Sequence, residues 1–222
     1  MNKQEKLFSR RQMLEWAAGF GGLVLTGSAF AQQSRRASTP EVMMGPFYPL
    51  LKPLDEDADL TIIKGHKARA EGKVIHVAGR VVDIKGEPVK GAKIEIWQAN
   101  AHGRYSHPSD PNTAPLDLNF QGSAVLRTDA EGRYRFKTIK PGPYPLSATE
   151  LRTPHIHFDI IGKNNRLTTQ MFFPDEPLNE KDGVLQRIFG DTSEVMARQL
   201  PPTKEIASNE LLLAWDIVLI NG

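Results

Sequence analysis

His155 and His157 stand two residues apart in the run His155-Ile156-His157-Phe158-Asp159-Ile160. On a strand alternate side chains share a face, so both imidazoles and Asp159 point one way and Ile156, Phe158 and Ile160 the other. Two residues of strand rise about 6.6 Å, close enough for two imidazoles to reach one ion. Two tyrosines keep them company. Tyr144 is held between prolines in Pro141-Gly142-Pro143-Tyr144-Pro145, and Tyr105 opens a long loop in Gly103-Arg104-Tyr105-Ser106-His107-Pro108. Phenolate is a hard anionic ligand of a group with a free pKa near ~10, so only a strongly Lewis-acidic cation keeps two of them ionised at neutral pH. Two imidazoles with two phenolates suit Fe(III) better than zinc, calcium or magnesium. With the two phenolates, one added hydroxide would cancel the charge of that ion, and a neutral site is the less costly one to bury.

Arg152 precedes His155 by three residues, near the site whatever the local twist. It is either a surface ion-pair partner or a fixed positive charge for a developing anion. Gln170, on the next strand signal, would orient a substrate oxygen or satisfy backbone. Asp159, on the histidine face, is expected to accept an imidazole N–H. His66, His76, His102 and His107 have no such company and are expected to be structural or solvated. Tyr134 alternates cleanly within a strand pattern and belongs to the core.

These residues need a frame. Strand signals begin at Lys73 and recur between turns. Val77 to Val82 ends at Asp83-Ile84-Lys85-Gly86-Glu87-Pro88, and Ala92, Ile94 and Ile96 alternate inward before Trp97. Thr128-Asp129-Ala130-Glu131-Gly132 is a turn, after which Tyr134 and Phe136 alternate with charged residues. Leu167–Phe173 and Leu211–Ile220 are further strands, and the last, apolar on both faces, is expected to be central. Glu180 to Phe189 is expected to form a short helix. Many short strands, Gly/Pro turns and little helix predict an all-β, antiparallel β-sandwich with long loops. The loop from Ala101 to Phe120 is long enough to expect a functional role.

The ends carry different signals. Residues 1–31 combine Ser9-Arg10-Arg11 with a 15-residue apolar run and Ala29-Phe30-Ala31. That run is short of the ~20 residues needed to span a bilayer, so it predicts a cleaved signal peptide of the twin-arginine type and export, to a periplasm or beyond. Four basic residues (Lys3, Lys6, Arg10, Arg11) and two acidic ones (Glu5, Glu15) would leave with it, taking 28 and 26 to 24 and 24. A mature chain of zero net charge suggests neither nucleic acid nor, after cleavage, a membrane as partner. With no cysteine, disulfides and thiolate chemistry are excluded and any metal is held by O and N ligands. Residues 32–72 make an arm, expected to be flexible over 32–40 and broken by Gly45-Pro46-Phe47-Tyr48-Pro49. Residues 73–222 make the sandwich.

From about Gly79 to the strand at Trp215-Asp216-Ile217-Val218-Leu219 the chain resembles the intradiol ring-cleavage dioxygenases, and within them the protocatechuate 3,4-dioxygenase β-type chains. The resemblance rests on Glu95-Ile96-Trp97-Gln98-Ala99-Asn100, Gly103-Arg104-Tyr105, Thr128-Asp129-Ala130-Glu131-Gly132-Arg133-Tyr134, Pro141-Gly142-Pro143-Tyr144 and Arg152-x-x-His155-Ile156-His157-Phe158. It implies a β-sandwich in which Tyr105, Tyr144, His155 and His157 hold a non-haem Fe(III). The resemblance puts Arg152 and Gln170 at the family's catalytic positions just behind the metal ligands, and Pro46, Phe47 and Leu146 are expected to wall the substrate pocket. The implied reaction cleaves a catechol-type diol, protocatechuate or another, between its hydroxyl-bearing carbons. Both atoms of O2 enter a cis,cis-muconate-type diacid, and Tyr144 takes one diol proton. A second copy or a related partner chain is left open.

One other class fits part of the pattern. Gly79-Arg80-Val81-x-Asp83, Gly86-x-Pro88-Val89-x-Gly91-Ala92 and Thr128-Asp129-x-x-Gly132-x-Tyr134-x-Phe136 also resemble prealbumin-like and carboxypeptidase-regulatory-like binding modules, which have no metal. Those modules account for the strands, but not for Tyr144, Arg152, His155 and His157 together.

Overall fold

The computed structural model describes residues 35–51, 57–147, 149–188 and 191–222. The expected signal peptide, residues 1–31, lies outside them.

Two sheets face each other across one apolar core. The first contains β1 (Val74–Asp83), β4 (Arg133–Ile139), β9 (Arg198–Leu200), β10 (Leu211–Ala214) and β11 (Ile217–Leu219). The second has the order β3 (Ser123–Arg127), β2 (Lys93–Trp97), β7 (His155–Ile161), β8 (Arg166–Phe172), all antiparallel. A two-stranded ribbon, β5 (Tyr144–Pro145) with β6 (Leu151–Arg152), stands apart. Alternation sets the inward residues: Ile94 and Ile96, Tyr134 and Phe136, Ile156, Phe158 and Ile160 all enter the core. Phe158 fills its middle, with its ring centroid 4.9 Å from that of Trp215 and 5.9 Å from that of Phe136. Tyr134 is core as expected, its hydroxyl donating to the Trp215 carbonyl at 2.7 Å.

The β-sandwich is as the sequence predicts, with four differences. The first sheet is mixed, because β10 and β11 both run parallel to β1. The expected strand over 211–220 breaks at Trp215-Asp216, where Trp215 N–H bonds the Ala78 carbonyl and the Asp216 side chain takes Arg80 N–H. Only its first half is flanked on both edges within the sheet, by β1 and β9. In place of the helix expected over 180–189, the described residues up to 188 form single 3-10 turns at Asn179–Lys181 and Leu185–Arg187. The side chain of Asp182 takes up the Val184 and Leu185 N–H groups, an alternative to helical pairing.

The fourth difference is the arm. Thr39 is buried and exchanges hydrogen bonds with Val218, and Val42 N–H bonds the Thr168 carbonyl of β8. Thr39, within the 32–40 stretch, is therefore tied to the first sheet, and Val42 just beyond it to the second. Further on, Tyr48 bonds Glu95 on the outer face of β2. The arm covers the sheet face that carries the histidines.

Candidate metal centre

His155 and His157 lie on the outer face of β7, 2% and 1% exposed. Register brings their neighbours: His157 sits between Trp97 of β2 and Gln170 of β8. The Trp97 and His157 rings stack with centroids 4.8 Å apart and 7° between planes. Tyr144 and Arg152 are direct partners across the β5–β6 ribbon, so one short hairpin delivers both. Tyr105 comes from the loop after β2, its N–H fixed by Asp110 Oδ2 at 2.7 Å. That loop docks on the Tyr144 segment backbone to backbone. Gly103 has φ of 78°, and a Cβ there would meet the Pro143 carbonyl oxygen at 2.0 Å. Only glycine allows the approach.

The four predicted ligands converge. His155 Nε2 and His157 Nε2 are 3.2 Å apart, and His157 Nε2 is 3.1 Å from the Tyr105 hydroxyl. Tyr105 and Tyr144 pack edge to face at 5.3 Å between centroids. The His155 Nδ1–H donates to the Thr153 carbonyl at 2.7 Å, which leaves its Nε2 lone pair aimed at the cluster. Burial is the largest influence on every member. It lowers both histidines well below their ordinary value, helped at His155 by Arg152 and at His157 by His155 and Arg152. It raises Tyr105 well above its ordinary value and raises Tyr144 too, although Arg152 opposes the rise at both. Without a cation the cluster is thus two neutral imidazoles and two neutral phenols.

That donor set fits a ferric ion. The Nε2 separation of 3.2 Å is that of two donors sharing one ion at bond lengths of about 2.1 Å. His157 Nδ1 is buried with no hydrogen-bond partner, so no acceptor fixes the proton of that ring as the Thr153 carbonyl does at His155. Among the described residues no group of three or more His, Cys, Asp or Glu could hold a metal, so the tyrosines are needed to complete a donor set.

Arg152 is no surface residue: it is 1% exposed. Its Nε donates to Asp182 Oδ2 at 2.8 Å, Nη2 to Gln170 Oε1 at 2.7 Å, and Nη1 reaches the Tyr144 hydroxyl at 3.5 Å. Gln170 is brought to the site with it, its Nε2 donating to the Met43 carbonyl of the arm. Phe47 packs 4.8 Å from the Tyr105 ring and 6.1 Å from Tyr144, forming a cover. Its chain is brought close by Gly45 (φ 75°), where a Cβ would meet His157 Cε1 at 3.2 Å. Pro46 is exposed at the same place, and Leu146, 41% exposed, sits in the turn joining β5 to β6.

Asp159 departs from expectation. It shares the histidine face, but its carboxylate is taken by Arg166 at 2.9 and 3.1 Å and by Thr168 at 3.1 Å, and His155 turns to Thr153 instead. The other four histidines lie outside the cluster as expected: His76 pairs with Glu210, His102 with Glu71 and His66 with Asn119, while His107 accepts Ser109 N–H. Sequence reasoning missed Asp182 and Thr153. It also gave Trp97 no role at the site, although alternation in β2 does put Trp97 outward.

A buried pair of imidazoles and a pair of phenols beside a fixed guanidinium, on a β-sandwich, is a donor set that could hold a metal ion. The Dioxygenase family model matches residues 43–221. The chain belongs to the intradiol ring-cleavage dioxygenase family. It is 48% identical over 140 residues to the protocatechuate 3,4-dioxygenase beta chain of Burkholderia cepacia, which covers 61% of this chain and 59% of that one. It is 34% identical over 154 residues to catechol 1,2-dioxygenase 1 of Acinetobacter lwoffii, covering 63% and 48%. Among solved structures, the dioxygenase domain of a dioxygenase carbohydrate-binding protein fusion from Streptomyces sp. SirexAA-E is 26% identical. It superposes with a TM-score of 0.62 over 84% of this chain and all of that one. The chain spans about half to three-fifths of the length of the curated relatives it matches.

Proposed function

We propose that this chain is a non-haem Fe(III) intradiol dioxygenase that cleaves a catechol-type diol with O2 to a cis,cis-muconate-type diacid. One observation carries the reading: two imidazole Nε2 atoms and two phenol oxygens converge, buried, beside Arg152. Family membership favours it over a metal-free binding module. Tyr105, Tyr144, His155 and His157 would hold the ion, which supplies the Lewis acidity that binds the diol as a dianion and activates it toward O2. The chain's own residues do the rest. Held ionised by that ion, Tyr144 would accept one diol proton at its oxygen, and Arg152 Nη1, 3.5 Å away, favours the ionised form beforehand. Arg152 also stabilises negative charge building on the ring, and Gln170 holds the guanidinium in plane. Phe47 and the arm exclude water. The relatives named above act on protocatechuate and catechol, and the substrate here is that class of diol.

The first test is colour. Phenolate-to-Fe(III) charge transfer should make the protein red-brown with about one iron per chain. Tyr144→Phe should shift that band while much of the iron stays, since three donors remain. An unchanged visible spectrum would remove Tyr144 from the ligand set.

The export reading stands on residues 1–31 as sequence. Among the described residues no helix is long and apolar enough to cross a membrane. Replacing Arg10 and Arg11 by lysine should retain the folded, iron-loaded precursor in the cytoplasm. Normal secretion of the double variant would assign it to the general pathway. Assembly with a second copy or a related chain is a further proposal, read by sedimentation of the purified protein.

A further inference from the structure

Asp182 lies between the two 3-10 turns, 0% exposed, 30 residues from Arg152 in sequence. Its Oδ1 accepts the Val184 and Leu185 N–H groups, both at 2.9 Å. A residue that only shaped this turn would need no more than that. Its Oδ2 instead accepts Arg152 Nε–H and Thr153 N–H, both at 2.8 Å. Four donors saturate the carboxylate, and two of them belong to the hairpin that enters the metal centre.

Each of those two bonds leads on to a reacting position. With Nε held by Asp182 and Nη2 by Gln170, the guanidinium plane is fixed and Nη1 is the edge turned to Tyr144. With its N–H held by Asp182 and its hydroxyl bonded to Asn179, Thr153 presents a fixed carbonyl. That carbonyl takes the His155 Nδ1–H and so decides that Nε2 carries the lone pair facing the cluster.

We propose that Asp182 is a positioning residue whose single carboxylate aligns Arg152 with the reacting diol and, through Thr153, holds His155 in its metal-binding tautomer. The inference rests on the function proposed above. Supporting shells of this kind are where a site loses rate without losing its reacting groups: a misplacement of about 1 Å can lower turnover ~10²-fold.

Asp182→Asn tests it, because the amide keeps the shape. Its oxygen can keep the turn bonds to Val184 and Leu185, while its NH2 meets Arg152 Nε–H and Thr153 N–H donor to donor. The variant should stay folded and turn over about 10²-fold more slowly. In metal-free protein, 15N NMR should show the His155 ring losing its pure Nδ1–H form. In an Arg152→Ala background, Asp182→Asn should lose most of its effect on turnover and keep its effect on the tautomer. A variant with a lowered melting temperature but wild-type turnover and tautomer would show a turn-forming role alone, and overturn the proposal. If the Asn variant does not fold, Asp182→Glu decides, since it keeps charge and acceptors and moves them by one methylene. A drop of about 10-fold or more with iron retained supports positioning, and wild-type turnover refutes it. Absence of O2 uptake by the wild type itself would sink the dioxygenase reading instead, and the tautomer in metal-free protein would still judge Asp182.

Discussion

Arg152→Ala is expected to lower turnover by ~10²–10³ while leaving iron content and colour near those of the wild type. None of the four donors is removed, and the lost charge serves the Tyr144 oxygen and the electron density that builds on the ring. The variant should still show a spectral change on adding a catechol. The structure adds a second consequence. Arg152 is the cationic partner of a fully buried carboxylate, so truncation leaves Asp182 without its counter-charge. Losing one partner of a buried pair typically costs about 3–5 kcal/mol. Asp182 keeps three backbone N–H donors, which places the loss toward the lower end. Arg152→Lys restores the charge but not the fork that reaches Asp182, Gln170 and Tyr144 at once, so it should recover melting temperature more than turnover. Iron analysis, the catechol difference spectrum, O2 uptake and a thermal melt on both variants check this. Full O2 uptake by an iron-replete Arg152→Ala protein would take Arg152 out of the chemistry.

His155→Ala should fail differently, losing iron, colour and activity together. The imidazole is one of two neutral donors, and its Nε2 is already aimed and unprotonated, so its binding free energy is spent on the ion rather than on rearrangement. Nothing beside it can substitute: Phe172 is its partner across the strand pair, and Asp159 is committed to Arg166 and Thr168. Without the ion, Tyr105 and Tyr144 should return to neutral phenols, because burial raises both. The visible band should therefore vanish rather than shift. Elemental analysis and an absorption spectrum suffice, and an iron-replete, coloured variant would overturn the ligand assignment.

Much of this site was legible in the chain because its signals are local. The period of two over 155–160 put both imidazoles on one face. Tight Gly/Pro segments set off Tyr144, and a long polar loop opened at Tyr105. The sandwich was legible for the same reason, since Ala92, Ile94 and Ile96 or Tyr134 and Phe136 need only their own strand to declare a core face. What local pattern could not decide was partnership. Asp159 was given the right face and the wrong neighbour, because Arg166 and Thr168 arrive on another strand. Likewise, periodicity is blind to strand direction, so the parallel pairing of 211–219 with β1 became visible only in three dimensions.

The sequence by itself therefore determined the residue types of the candidate site, the histidine face, the fold class and the family resemblance. The tertiary structure decided which groups meet. It put Gln170 and Trp97 on either side of His157, folded the arm over the sheet, and turned an expected helix into two short turns around Asp182. The physical reason is separation. Side-chain identity and strand period act over a few residues, whereas the bonds that aim Arg152 and His155 depend on a carboxylate some thirty residues along the chain, which no local propensity could have placed there.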